Sequence, residues 1–102
     1  MITVLYRWKI KEGFEVQFID AWTEITEFIV KNYDSLGSRL HQDDEGVFYG
    51  YAQWESIQTR AKVFGQMTEF EAREKFRDAI AETLPEIILT PIIDFLIFPT
   101  KL

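Results

Sequence analysis

Cysteine is absent from the 102 residues, and histidine occurs once. The first absence excludes disulfides, thiolate metal sites and a cysteine nucleophile, and it suits a reducing compartment. The second leaves His41 as the only imidazole for acid–base work or metal ligation. Glycine and proline are scarce, with five and three copies, so no linker or low-complexity tract fits in the chain. No stretch approaches the ~20 uncharged apolar residues that a membrane-spanning helix needs. Arg7 and Lys9 interrupt the apolar residues near the start, so no hydrophobic signal core is legible there. Cationic residues are outnumbered, 11 against 17 acids, for a net charge of −6. That balance disfavours nucleic acid and anionic membranes as partners. Gly-rich phosphate loops, paired histidines and Ser/His/Asp patterns are also missing. These exclusions lead to the expectation of a cytoplasmic protein with no metal, no bound cofactor, no nucleic-acid partner and no membrane partner.

What remains is a chain rich in rings. Nine Phe, four Tyr and three Trp make 16% of the residues aromatic, within an otherwise ordinary 47% hydrophobic and 27% charged composition. A chain of this length folds as one domain, 1–102, and buries roughly two-thirds of its unfolded surface without staples.

The hydrophobic period changes along the chain. Ile2, Val4, Tyr6, Trp8 and Ile10 alternate with Thr3, Leu5, Arg7 and Lys9, which predicts a strand ended by Gly13. Phe18, Trp22, Ile25, Ile29 and Tyr33 then recur every three or four residues, which predicts an amphipathic helix ending near Asp34-Ser35. Leu36–His41 and Val47–Trp54 flank Gln42-Asp43-Asp44-Glu45-Gly46, a hairpin signal. Ser56 can cap a short helix through Phe64, with Gly65 as its stop. Thr68-Glu69-Phe70-Glu71 has capping-box spacing and opens a second helix, predicted to run through Leu84 and end at Pro85. Glu86–Phe98 reads as a final strand that Pro91 confines to an edge or a bulge.

This order predicts an α+β, ferredoxin-like βαββαβ fold with its second helical segment split in two. Val47, Tyr49 and Tyr51 occupy one face of the third strand, while Phe48, Ala52 and Trp54 occupy the other. Both sides of the sheet therefore want cover, and one chain supplies helices for a single side. A homodimer packed sheet to sheet is expected, with Ile92, Phe95, Ile97 and Phe98 contributing to the interface.

The residues Tyr6–Gly13 leading into the first helix, then Leu36-Gly37-Ser38-Arg39-Leu40-His41, then Phe48–Trp54 followed by Glu55-Ser56, carry a resemblance. Over Ile2 to about Phe98 the chain resembles the antibiotic biosynthesis monooxygenase domain of the dimeric α+β barrel superfamily. That family includes cofactor-free quinone-forming monooxygenases, haem-degrading monooxygenases and dimers with no assigned chemistry. The haem-degrading members carry a helix histidine, a first-strand asparagine and a tryptophan in the second helical segment. Here Ser56–Leu84 contains neither His nor Trp, and Tyr6-Arg7 stand where the asparagine would be. The resemblance therefore implies a cofactor-independent monooxygenase acting on a small aromatic or polyketide-like molecule. The alternative is a non-catalytic homodimeric module that binds a small hydrophobic ligand.

For that chemistry His41 and Arg39 are the candidate catalytic pair, and Tyr6, Trp8, Trp22, Tyr51 and Trp54 the candidate substrate-binding walls. An imidazole can take a phenolic proton, and a guanidinium can hold the resulting phenolate. Tyr and Trp offer apolar walls with polar tips. Each has a plainer reading beside it. His41 could be a half-exposed strand-end residue, Arg39 an ion-pair partner, and the rings simply core. The acidic runs Asp43–Glu45 and Glu69–Asp78 read as solvated surface.

Overall fold

The computed structural model describes residues 1–97, which form four strands and three helices. In chain order these are β1 (Ile2–Ile10), α1 (Glu15–Asn32), β2 (Ser38–Gln42), β3 (Phe48–Trp54), α2 (Ile57–Gln66), α3 (Glu71–Ala79) and β4 (Ile80–Leu89). The strands build one antiparallel sheet in the order β2-β3-β1-β4, the expected α+β ferredoxin-like plan.

Alternation along β1 sorts its residues onto two faces. Val4, Tyr6 and Trp8 stand opposite Ala52, Gly50 and Phe48 of β3 and pack beneath the helices. α1 lays Phe18, Ala21 and Ile29 onto this face, the stripe its spacing predicts. Between β2 and β3, Gly46 takes φ +88°, a conformation that costs a side-chain-bearing residue more. Asp43 organises that turn. Its Oδ1 accepts from the amides of Glu45 and Val47, each at 2.9 Å, and its Oδ2 from the Tyr49 hydroxyl at 2.9 Å. Desolvation alone would raise the Asp43 carboxyl, but the Val47 amide, the Tyr49 hydroxyl and the Glu45 and Gly46 amides outweigh it and hold the group below the usual carboxylate range.

The second half departs from the expected boundaries. Gly65 lies inside α2 instead of ending it. Its φ is not positive, and the helix stops where Met67 turns extended. Ser56 caps α2 as expected, accepting the Thr59 amide at 3.1 Å. The Thr68 capping box does not form: α3 starts at Glu71, with Phe70 at the N-cap and no side-chain cap. The largest correction concerns Ile80–Leu84, which extends β4 instead of α3. Trp8, Arg7 and Ile10 of β1 pair with Thr83, Leu84 and Ile80, so ladder bonds to β1 override local helix propensity.

Pro85 consequently sits inside β4 rather than ending a helix. Pro85 and Glu86 together oppose the single residue Tyr6, a β-bulge that spares proline its missing N–H. The Arg7 guanidinium donates to the Pro85 carbonyl, from Nε at 3.2 Å and Nη2 at 2.7 Å. Pro91 lies beyond the strand, which ends at Leu89 and forms an edge of the sheet.

The sheet face away from the helices carries Leu5, Tyr49, Tyr51, Leu84, Ile87 and Leu89, none of them fully buried. Ile92, Phe95 and Ile97 are 87–90% exposed in the single chain. Phe98 lies outside the described residues. Among the described residues no helix is long and apolar enough to cross a membrane.

Candidate functional site

The core beneath the helices divides in two. One cluster gathers Val4, Ile29, Ala52, Trp54, Val63 and Met67, and the other Trp8, Phe18, Phe48 and Ala79. Tyr6 packs against both. The division follows from β3, whose helix-facing positions run Phe48, Gly50, Ala52, Trp54. Two small residues lie between two large rings, so helices spanning both rings leave space over the middle of the strand.

That space is a cavity of about 340 Å³ between sheet and helices. It lies within the ~300–1,000 Å³ range typical of small-molecule sites. Its walls include Tyr6 and Trp8 from β1, Trp22 and Ile25 from α1, Trp54 from β3, and Phe64 and Phe76 from α2 and α3. All three tryptophans of the chain line it.

The rings hold one another in place. Tyr6 and Trp8 stack with centroids 5.7 Å apart and planes 5° from parallel. Trp8 meets Phe18 edge-on at 5.3 Å and Phe76 edge-on at 5.4 Å. Gly50 makes this possible, because a Cβ there would lie 2.9 Å from Trp8 Cη2 and 3.0 Å from Cζ3. Gly50→Ala is therefore expected to cost about 1–3 kcal/mol, as overpacked cores do. The displaced indole has the cavity to move into, so denaturant titration should show the lost stability and tryptophan emission should shift. An unchanged midpoint and spectrum would show that the approach of Gly50 does not constrain the Trp8 indole.

Two polar atoms in this apolar setting lack partners. The Tyr6 hydroxyl and the Trp54 indole N–H are both buried, and neither makes a hydrogen bond among the described residues. Burial raises the Tyr6 phenol above its ordinary value. Arg60 of α2, whose guanidinium carbon lies 5.7 Å from the Tyr6 ring centroid, pulls the other way. Glu86 adds to the rise, and the neighbouring Trp54 N–H opposes it without reaching hydrogen-bond geometry. The phenol thus keeps its proton at neutral pH and can act as a donor. The β4 bulge contributes to this arrangement: it places Glu86 within 2.6 Å of Arg60 Nη2.

Of the sequence-predicted walls, Tyr6, Trp8, Trp22 and Trp54 come together in the cavity and Tyr51 does not. His41 and Arg39 do not reach it either. Arg39 pairs with Tyr51 and His41 with Tyr49, and these β3 residues pair in turn with Leu5 and Arg7, on the opposite face of the sheet. The His41 ring stands edge-on to Tyr51 at 6.5 Å. Arg39 makes no ion pair within the chain among the described residues.

The sequence reading missed Phe64, Met67, Phe76, Arg73 and Arg77 as lining residues. The arginines sit in the run Glu69–Asp78, read as solvated surface. Their signal was the spacing of Arg73, Phe76 and Arg77, which puts all three on one side of a helix.

No protein-family model matches the sequence, and no curated protein matches it by sequence. Solved structures do match the fold. A candidate antibiotic biosynthesis monooxygenase from Bordetella bronchiseptica superposes with a TM-score of 0.77 at 18% identity, over 90% of this chain and 97% of its own. Another from Nitrosomonas europaea gives 0.75 at 17% identity, over 91% and 100%. SnoaB, a cofactor-independent oxygenase from Streptomyces nogalater, gives 0.77 at 10% identity, over 92% and 95%.

Proposed function

We propose that this chain, which has the fold of the antibiotic biosynthesis monooxygenases, is a homodimeric cofactor-independent monooxygenase acting on a small fused-ring phenol. The observation that carries the proposal is an aromatic-walled cavity lined by Tyr6 and Trp54, whose buried O–H and N–H have no hydrogen-bond partner among the described residues. A buried donor without a partner costs about 1–3 kcal/mol, and a phenolic oxygen placed between these two would satisfy both.

The rings of the cavity would hold the flat body of the substrate, and the two donors its oxygen. Such donors favour the phenolate over the phenol because charge-assisted hydrogen bonds are the stronger ones. The phenolate is electron-rich enough to be oxidised by molecular oxygen directly. One oxygen atom enters the ring as a new carbonyl, giving a quinone, and the other leaves as water with the two hydrogens the substrate loses. The electrons come from the substrate, so atoms and charges balance without a redox cofactor. This assignment moves the chemistry from His41 and Arg39 to Tyr6 and Trp54.

One observation favours a second reading, a ligand-binding dimer without catalysis. Among the described residues no carboxylate or imidazole lines the cavity, so none of them supplies a base for the phenolic proton. Under the first reading the phenol gives its proton to water or enters already ionised. Oxygen uptake by the purified protein, screened against naphthols, anthrones and quinols, separates the two. Stoichiometric uptake with quinone formation is expected. Tight binding of these compounds with no uptake above background would establish the binding module instead.

A further inference from the structure

We infer that the ligand of this cavity carries a carboxylate, held at the solvent end by Arg73 and Arg77. The inference rests on the reading of the cavity as an aromatic-ligand site and names the substrate class more narrowly. Among the described residues the only charged side chains in the lining are these two cations, in a chain whose net charge is −6. They stand one helical turn apart on α3, with Phe76 lining the wall between them.

Both guanidiniums are held in position. Arg73 Nη1 donates to the Met67 and Thr68 carbonyls at 3.3 and 3.1 Å, which ties it to the connection between α2 and α3. Arg77 engages Glu69 through both terminal nitrogens, and Arg73 Nε lies 3.8 Å from the same carboxylate. The two guanidiniums share this one carboxylate, and Glu74 and Asp78 act on Arg77 from outside the cavity lining. Arg73 Nη2 has no partner among the described residues.

The exposures give the direction. The side chain of Arg73 is 25% exposed and that of Arg77 54%, whereas Trp54 at the inner wall is 3% exposed. A ligand with its phenolic oxygen at Tyr6 and Trp54 would thus present its far end to the arginines. Surface ion pairing alone does not require this placement. The same helix makes an ordinary outer pair between Lys75 and Glu71 at 3.6 Å, and neither residue lines the cavity. Glu74 and Asp78 also lie outside the lining.

Titration calorimetry with hydroxynaphthoate and naphthol tests the inference. Hydroxynaphthoate should bind about tenfold more tightly, the return on a charge-assisted hydrogen bond at a partly exposed site. Arg77→Gln should narrow that preference and Arg73→Gln with Arg77→Gln should abolish it, with the loss falling on hydroxynaphthoate. Arg77→Lys should retain part of it, and added salt should narrow it in the wild type. Equal affinity for the two probes, or a preference that survives the double substitution, overturns the inference and leaves the aromatic site standing. Failure of both probes to bind removes the aromatic site and this inference with it.

Discussion

Replacing Tyr6 with Phe is expected to lower the turnover of an oxidisable naphthol by roughly 10²–10³-fold, the usual cost of deleting a donor aimed at developing negative charge. The ring is retained, so the stack on Trp8 and the contact with Arg60 survive, and only the hydroxyl is lost. KM should move little, because the walls bind the apolar body. The same substitution should stabilise the free protein by about 1 kcal/mol, because it removes a buried donor that has no partner. Rate and stability thus move in opposite directions, as expected where a binding site keeps an unsatisfied group.

Alkaline unfolding adds a check. Burial raises the Tyr6 phenol in the folded state, so its contribution to stability is complete below the unfolded tyrosine value near ~10 and is lost as pH rises toward the folded value. Tyr6→Phe should lack that loss. Oxygen-electrode kinetics and thermal denaturation at neutral and alkaline pH measure all of this. An active enzyme with unchanged kcat in Tyr6→Phe would show that the hydroxyl does not touch the reacting oxygen.

Ile87→Asp is expected to abolish dimerisation outright. Ile87 pairs with Leu5 on the sheet face that the helices leave open, beside Tyr51, Leu84 and Leu89. The proposed dimer buries this face, and obligate interfaces of that kind cover upwards of ~2,000 Å² in total. A carboxylate placed there without a partner costs several times what a methyl truncation does, so Ile87→Ala should weaken the dimer and Ile87→Asp should yield monomer or precipitate. Val16→Asp is the control: Val16 is 72% exposed on α1, away from the sheet, and a charge there should leave assembly unchanged. Sedimentation equilibrium reads the outcome. A stable monomer of the unaltered protein at micromolar concentration would remove the dimer from the proposal.

Local spacing made much of the fold legible. The alternation of β1, the stripe of α1, the Asp43–Gly46 turn and the Ser56 cap are nearest-neighbour patterns, and each formed where its residues predicted. The boundary between α3 and β4 was not of that kind. Ile80–Leu84 is locally compatible with a helix, and only the distant residues Arg7, Trp8 and Ile10 give it a ladder to join. Pro85 misled for the same reason, because a proline that would end a helix is equally at home in an edge-strand bulge.

The sequence by itself determined the two-faced strands, the aromatic stock and the absence of thiol and multi-histidine chemistry, since each depends on residue identity and short-range period. Tertiary structure alone decided which of those side chains share a space. The pairing of Leu40 and Tyr6 with Gly50 sends Tyr6, Trp8 and Trp54 beneath the helices, and the neighbouring pairs send His41, Arg39 and Tyr51 to the other side. Register between strands far apart in the chain sets that partition, and a single sequence does not print it. The cavity itself arises the same way. Gly50 and Ala52 leave a gap only because large rings flank them and helices from both halves of the chain span it, and α3 carries Arg73 and Arg77 to its edge.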